Sequence, residues 1–156
     1  VILQPVDLFV LCRHSIQAMN LPERIHVSVV QDCGDPVAEV DRDQIVQVLT
    51  NLVTNAVDAM PDGGRLDVQT RGDEQSVLLI VSDTGTGIPE DKRAKIFEPF
   101  FTTKEIGKGT GLGLAVTYGI IKMHRGDISV QSNANPAAGP TGSSFTVKLP
   151  RRSEQD

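Results

Sequence analysis

One segment of the sequence restricts the possible folds more than any other: Gln44–Met60, which reads QIVQVLTNLVTNAVDAM. Asp41 precedes it, with Gln44 three positions later in the capping-box arrangement, and Pro61 follows it before two glycines. Between these signals, apolar residues recur at the spacing of one helical face: Ile45, Val48, Leu49, Leu52, Val53 and Ala56. The segment therefore predicts a long helix with one face in a hydrophobic core.

The same helix would carry a polar stripe beside its apolar face. Asn51, Asn55 and Asp58 fall together there, at about 100° per residue. Asparagine inside a helix costs about 0.5 kcal/mol relative to alanine, and an ordinary exposed stripe consists of Glu, Lys and Arg. Two interpretations are open from this helix alone. The asparagines either hydrogen-bond neighbouring loops or serve a ligand.

Length and charge limit the class of protein. A chain of 156 residues predicts one compact domain, 1–150, with a polar tail at 151–156. The net charge is −5 and the basic residues are scattered, which argues against nucleic-acid binding but not against small polyanions. Without a bilayer-length apolar run or a signal peptide, we expect a cytoplasmic segment that makes no membrane contact. Since the first residue is valine, we expect a piece of a longer protein.

The two cysteines, Cys12 and Cys33, are widely spaced, and we expect apolar surroundings for both. This arrangement is more typical of free thiols in a reducing cytosol than of a disulfide or a metal site. We therefore predict that both thiols are buried and unpaired.

Periodicity along the rest of the chain predicts an α+β two-layer sandwich, with three helices on one face of a mixed, mostly antiparallel sheet. Two further helices are predicted at Asp7–Asn20 and Leu112–Met123. Alternating or short apolar runs predict six strands: Ile25–Gln31, Val37–Asp41, Arg65–Thr70, Ser76–Ser82, Asp127–Gln131 and Ser144–Leu149. The third and fourth of these are predicted to form a hairpin.

The pattern is lost between Asp83 and Gly113, a length more typical of a lid or a binding loop than of a simple connection. The segment begins with Asp83, followed by Gly85 and Gly87, directly after a buried strand. A carboxylate only accepts hydrogen bonds, so Asp83 would pair with the amine of adenine and repel the carbonyl of guanine. The alternative is an ordinary Asp-Gly turn.

A second glycine-rich stretch, Gly107–Leu114 (GKGTGLGL), runs directly into the predicted helix. Convergent backbone N–H groups and a helix N-terminus favour phosphate binding, although a merely flexible loop is the alternative. The stretch is neither a dinucleotide fingerprint nor a Walker A loop, because the required glycines and hydroxyl residue are missing. Beside phosphates, the amide oxygen of Asn55 suits Mg²⁺, which prefers hard oxygen ligands.

Four motifs in order and spacing resemble the N, G1, F and G2 boxes of sensor histidine kinases. They are Asn51-Leu52-x-x-Asn55-Ala56, Asp83-x-Gly85-x-Gly87-Ile88, Phe97-Glu98-Pro99-Phe100-Phe101-Thr102-Thr103-Lys104 and Gly109-Thr110-Gly111-Leu112-Gly113-Leu114. The F box is similar to that of the nitrogen-regulation type, and Ser143–Pro150 looks like the closing strand of the family. The resemblance covers nearly the whole chain.

This resemblance implies the Bergerat ATP-binding fold, with ATP under a flexible lid at about 85–110 that Phe97, Phe100 and Phe101 would pin to the domain. Asn51, Asn55 and Lys104 would be catalytic, and Asn55 would hold Mg²⁺. Asp83 would bind the adenine amine and Ser143 would support the base through water. The residues expected to bind the nucleotide are Asn51, Asn55, Asp58, Asp83, Gly85, Gly87, Ile88, Lys104, Lys108, Gly109, Thr110, Gly111, Leu112, Gly113, Leu114 and Ser143.

Asn51 stands where related ATPases of the superfamily carry a glutamate base. An amide cannot take up a proton, so hydrolysis should be slow and the γ-phosphoryl kept for another acceptor. The resemblance implies a histidine on a separate dimerisation domain, with a response regulator downstream. His14, His26 and His124 lack the acidic context of such an acceptor and are interpreted as structural. A nucleotide-gated interaction module without turnover is the main alternative, and Asn51 disfavours a third possibility, an ATP-driven clamp.

Overall fold

The computed structural model describes residues 1–98 and 113–152. The helices are α1 (Leu8–Met19), α2 (Arg42–Asp58), α3 (Glu90–Arg93) and α4 (Gly113–Met123), with a short 3-10 turn at Pro136–Ala138. The strands are β1 (Gln4–Asp7), β2 (Ile25–Gln31), β3 (Val37–Val40), β4 (Gly64–Gly72), β5 (Ser76–Asp83), β6 (Asp127–Asn133) and β7 (Gly142–Pro150).

Five strands form the main sheet in the order β2-β4-β5-β7-β6. Only β2 and β4 run parallel; the other neighbours are antiparallel, including the predicted β4–β5 hairpin, in which Val68 faces Val81. Two strands that the sequence did not assign to a separate layer, β1 and β3, pair antiparallel as a small second sheet. The predicted α+β sandwich with a mixed, mostly antiparallel sheet is confirmed.

The core lies between this sheet and helices α1, α2 and α4, because alternate residues of the central strands point to the same face. The predicted apolar face of α2 is buried throughout, from Ile45 to Ala56. It packs against side chains that are at most 2 % exposed: Leu66, Val68, Leu79, Val81, Phe145 and Val147. Burying one such side chain contributes about 1.5–3 kcal/mol, so this layer fixes the position of α2 on the sheet.

The start of α2 is capped differently from the prediction. Asp41 Oδ1 accepts the Gln44 N–H at 3.3 Å, as expected for an N-cap. In a full capping box Gln44 would receive the Asp41 N–H, but its Oε1 is buried and finds no partner among the described residues. The Asp41 N–H instead donates to His124 Nε2 at 3.0 Å, while His124 Nδ1 bonds Ile120 O at 2.8 Å. His124 thus joins the end of α4 to the start of α2, consistent with the structural role expected for it.

The two cysteines differ in exposure. Cys12 is buried in α1, and this burial raises the pKa of its thiol to about 12. Cys33 is free but only half-buried, so the expectation of burial is wrong for this residue. It lies in the turn after β2, where Gln31 Nε2 donates to its carbonyl oxygen and the chain faces solvent.

The segment expected to be irregular after Asp83 contains the short helix α3. Its acidic residues precede its basic residues, Glu90 and Asp91 before Lys92 and Arg93, which suits the helix dipole. Ile96 and Phe97 then return to the core. Phe97 lies 5.6 Å from the Tyr118 ring and 6.4 Å from that of Phe145, centroid to centroid. No helix among the described residues is long and apolar enough to cross a bilayer.

Candidate functional site

The polar stripe of α2 meets the first turn of α4. Asn51 Nδ2 donates to Gly113 O at 3.2 Å and to Thr117 Oγ1 at 3.3 Å. The fully buried Thr117 hydroxyl itself donates to Gly113 O at 2.8 Å, so toward Asn51 it acts as an acceptor. This network fixes the amide orientation: the NH₂ group faces α4, and the bonds leave the amide oxygen unused. Both interpretations of Asn51 are therefore compatible, since its nitrogen bonds a neighbouring element and its oxygen can serve a ligand.

The other two residues of the stripe lie toward the end of α2. Asn55 is half-buried one turn after Asn51, and Asp58 is exposed. The helix ends at Asp58, and the carbonyl of the next residue, Ala59, accepts the N–H of Thr86 at 3.1 Å. This bond places the turn that contains Gly85 and Gly87 directly at the C-terminal end of α2.

Asp83 ends β5 at the same edge of the sheet. Its carboxylate is half-buried and accepts the Gly85 N–H at 2.9 Å and the backbone N–H of Ser143 on the neighbouring strand. Burial raises the pKa of Asp83, although these two hydrogen bonds act in the opposite direction. The ionised group is therefore less well stabilised than in water. A ligand that donates hydrogen bonds, such as an exocyclic amine, would stabilise it further.

Gly85 and Gly87 lie so close to backbone atoms of other segments that neither position has room for a Cβ. A Cβ at Gly85 would lie 2.4 Å from Ala59 O, and one at Gly87 would lie 2.1 Å from Asn133 O. Gly87 also has φ +77°, a left-handed conformation that residues with a Cβ rarely adopt. The turn is thus wedged between the end of α2 and the end of β6, which fits the prediction that its backbone passes close to other groups.

Hydroxyl groups connect this turn to the closing strand. Ser132 Oγ on β6 accepts the Ile88 N–H at 2.7 Å, lies 2.8 Å from the buried Ser143 Oγ and donates to Gly142 O at 3.0 Å. On the other side of the turn, Thr84 Oγ1 accepts the Arg65 N–H at 3.0 Å. Ser132 therefore links residues of two predicted nucleotide-binding motifs.

The structure brings together two groups of the predicted site residues, on either side of the C-terminal end of α2. One contains Asp83, Gly85, Gly87, Ile88 and Ser143; the other contains Asn51, Asn55, Gly113 and the half-buried Leu114. Asp58 lies exposed at the last position of α2. The other predictions lie outside the described residues: Lys104, Lys108, Gly109, Thr110, Gly111 and Leu112, together with the lid aromatics Phe100 and Phe101.

Sequence reasoning missed Thr117 and Ser132. Both are hydroxyl residues on the core-facing side of an element where an apolar residue would ordinarily stand. Thr117 follows Ala115-Val116, and Ser132 continues the alternation of Ile128 and Val130 on β6. A polar residue at an apolar position was the available signal, but it does not identify the hydrogen-bond partner.

Comparison with known proteins identifies the family to which this geometry belongs. The family model described as histidine kinase-, DNA gyrase B- and HSP90-like ATPase matches residues 40–153. The chain belongs to this family. The ATPase family match includes α2, both edges of the candidate site and the closing strand β7.

Curated relatives of this ATPase-family chain include a sensor kinase and a sporulation kinase. Sensor kinase CckA of Brucella abortus (strain 2308) is 45% identical over an alignment of 132 positions, and the match covers 75% of this chain and 13% of that protein. Sporulation kinase A of Bacillus subtilis (strain 168) is 47% identical over 112 residues, which are 72% of this chain and 17% of that protein. The chain thus corresponds to a small part of these relatives, and the resemblance to sensor histidine kinases is confirmed.

Solved structures agree with the fold. The nucleotide-free catalytic domain of histidine kinase ThkA superposes with a TM-score of 0.81 at 32% identity, covering 98% of this chain and 100% of that one. ShkA in complex with AMPPNP gives a TM-score of 0.81 at 27% identity, covering 99% and 32%. ThkA in complex with the response regulator TrrA gives 0.74 at 30% identity, covering 96% and 42%. The chain is therefore homologous to histidine kinase catalytic domains; its nitrogen-regulation subtype stays a prediction.

Proposed function

We propose that this chain binds Mg-ATP between α2, the Asp83 turn and the closing strand, and that the longer protein transfers the γ-phosphoryl group to a histidine on a separate dimerisation domain. The observation that carries the proposal is the half-buried Asp83 carboxylate, tied to Gly85 and Ser143 at the end of α2. It offers an acceptor to the amine of adenine. ShkA, which binds AMPPNP, supports the same ligand class.

Asn55 and Asn51 suit the polyphosphate part of this ligand. Asn55 would hold Mg²⁺ through its amide oxygen, and the ion supplies neutralisation of phosphate charge when bound. A single neutral ligand fits an ion held mainly by phosphates rather than by a protein cage. Gly113 and Thr117 engage the Asn51 nitrogen, so the Asn51 oxygen is the group expected near the phosphates.

The chemistry of Asn51 favours transfer over hydrolysis. A general base must take up a proton from water, and an amide cannot do so near neutral pH. The residues of this chain would therefore bind, orient and shield the phosphoryl group, with Lys104 and the glycines at 109–113 expected to add positive charge and backbone N–H groups. Without a base, the attacking group must come from elsewhere.

The proposed acceptor is a histidine outside the three of this chain. His124 makes two hydrogen bonds inside the domain, while His14 and His26 are exposed but lack the acidic neighbour expected of a phosphoacceptor. A response regulator is the proposed downstream partner, since ThkA is found with TrrA. We propose a cytoplasmic site of action, where ATP is available.

Phosphotransfer to a supplied histidine-containing dimerisation domain tests this function. Asn55→Ala should lower Mg-ATP-dependent phosphorylation of that domain on the order of 100-fold, as expected when one preorganised electrostatic contact is removed. Thr54→Ala, an exposed neighbour on α2, is the matched control and should transfer at the wild-type rate. Unchanged transfer by Asn55→Ala would remove the proposed role. ATP binding by the wild type without any transfer would favour the nucleotide-gated interaction module instead.

A further inference from the structure

Ser132 occupies a position that the proposed function leaves unexplained. It lies on the core-facing side of β6, directly opposite Ser143 in the register of β6 and β7. Its oxygen takes part in three contacts, with the Ile88 N–H at 2.7 Å, Ser143 Oγ at 2.8 Å and Gly142 O at 3.0 Å. The hydroxyl is thus shared by the turn after Asp83 and the strand that closes the site.

Proton counting restricts how these contacts are arranged. A serine hydroxyl donates one hydrogen and accepts up to two. The Ile88 N–H occupies one acceptor position of Ser132, and Gly142 O can only accept. When Ser132 donates to Gly142 O, the remaining contact requires that Ser143 donate to Ser132. All three contacts are then hydrogen bonds, and Ser143 Oγ presents only lone pairs to the site.

This polarity matches that of the neighbouring Asp83. The ionised carboxylate accepts hydrogen bonds, and a Ser143 oxygen whose hydrogen is engaged by Ser132 does the same. Two adjacent acceptors fit the amine on C6 of adenine, directly or through one water. They disfavour a base that carries a carbonyl oxygen at that position.

We infer that Ser132 is a positioning and specificity-determining residue, which sets Ser143 as a hydrogen-bond acceptor for a 6-amino purine and fastens Ile88, near the start of the predicted lid, to β6. The inference rests on the proposed nucleotide site and deepens it. Ser132 acts through Ser143 and Ile88 and does not itself contact the base.

The test compares ATP with ITP, which has a carbonyl oxygen in place of the amine, by calorimetric titration of this chain with magnesium present. In the Ser132→Ala variant the Ser143 hydroxyl can rotate and donate to the ITP carbonyl. The ratio of ITP to ATP dissociation constants should fall about five-fold, the effect of one neutral hydrogen bond. Ser132→Thr keeps the hydroxyl and should restore the ratio.

Ser144→Ala is the matched control. Ser144 pairs with Ser82 at an Oγ–Oγ distance of 2.8 Å, one residue from Ser143 but on the opposite face of β7. Its loss removes a similar contact from the same strands and should leave the ratio unchanged. In the Ser132→Ala/Ser143→Ala double variant the ratio should equal that of Ser143→Ala alone, because Ser132 acts on the base through Ser143.

The outcomes separate this inference from the proposed function. A wild-type chain that prefers ATP, together with an unchanged ratio in a folded Ser132→Ala variant, would overturn the role of Ser132 and leave the ATP site standing. An equal fall in Ser144→Ala would also overturn it, since the effect would then be a general loosening of β7. A wild-type chain that binds neither nucleotide would overturn both proposals.

Discussion

The two ends of β5 carry the same local arrangement in opposite surroundings. Asp73, before the strand, accepts the N–H groups of Gln75 and Ser76, both at 2.8 Å. Asp83, the last residue, accepts those of Gly85 and Ser143. At the exposed Asp73 the hydrogen bonds lower the pKa, whereas at Asp83 burial outweighs them and raises it. In solvent, two N–H groups bound to an aspartate form an ordinary turn. When the aspartate is partly buried, the same two bonds do not offset the cost of burial, and a ligand that donates hydrogen bonds can stabilise the carboxylate further.

The contacts that hold the chain together also differ between the Asp73 end and the Asp83 end of β5. At the Asp73 end, Arg151 binds three backbone carbonyls: those of Asp73 and Asp35, both at 2.7 Å, and that of Val37 at 3.2 Å. These bonds fasten the end of β7 to the segments around Asp35 and Asp73. At the Asp83 end, two glycines allow backbone to approach backbone, and serine hydroxyls bridge the strands. One end is held by an arginine that binds backbone carbonyls, and the other is held by close backbone packing and by serine hydroxyls.

The largest contrast is expected from alanine substitutions of one glycine at each end. Gly87→Ala should destabilise the fold by about 2–5 kcal/mol, because the left-handed conformation costs about 1–2 kcal/mol and overpacking about 1–3 kcal/mol. The clash is with the Asn133 carbonyl, which belongs to the sheet and cannot rotate away. Urea denaturation measures the loss.

Gly34→Ala is the control at the other end. No atom lies within 4 Å of its added Cβ and its φ is not left-handed, so its stability should change by less than about 1 kcal/mol. Equal losses in the two variants would show that the ends of β5 do not differ in packing.

The second contrast exchanges each aspartate for asparagine. Asp83→Asn should weaken ATP binding about 10- to 100-fold, since a charge-assisted hydrogen bond worth about 1.5–3 kcal/mol is lost and the amide can turn a donor toward the base. Asp73→Asn should bind ATP as the wild type does, because Asp73 lies at the other end of the strand. Calorimetric titration decides between them. A similar loss of ATP affinity in both variants would show that the substitutions act by disturbing the sheet and not by removing a contact to ATP.

The sequence was sufficient where one periodicity dominated. The helix from Gln44 was predicted because six apolar residues and an N-cap agree, and Asp83 was found because it ends a clearly apolar strand. Both depend on local signals that tertiary packing only reinforces. The two sides of the site are joined by the Ala59 carbonyl, which accepts the Thr86 N–H, and by the Ser132 hydroxyl, which accepts the Ile88 N–H. Alanine at position 59 gives no signal of its contact, and serine at position 132 signals a polar contact without identifying the partner.

Residues near the start of α2 illustrate the same limit. Asp41 and Gln44 form a recognisable capping pair, yet the Asp41 N–H is taken by His124, 83 positions away. A local motif competes with every polar group that the fold brings near, and the winner depends on packing that no short pattern encodes. The prediction for Cys33 failed for a different reason, because its neighbours Asp32, Gly34 and Asp35 are typical of a turn near the surface and do not bury it.

The smallest contrast is the order in which the two aspartates take up protons. Burial raises the pKa of Asp83 above its ordinary value of 3.8, and hydrogen bonds lower that of Asp73 below it. As pH falls, Asp83 should therefore be protonated first. The contribution of Asp73 to stability is present above 3.8 and is lost as pH falls through its lowered pKa. As pH rises from 3.8 to the raised pKa of Asp83, the unfolded chain has released this proton while the folded chain still binds it. The fold is therefore progressively destabilised over that interval by the burial of Asp83. Carboxyl carbon NMR titration resolves the two groups, with Asp83→Asn and Asp73→Asn assigning the signals. Protonation of Asp73 before Asp83 would show that burial does not distinguish the two ends of β5.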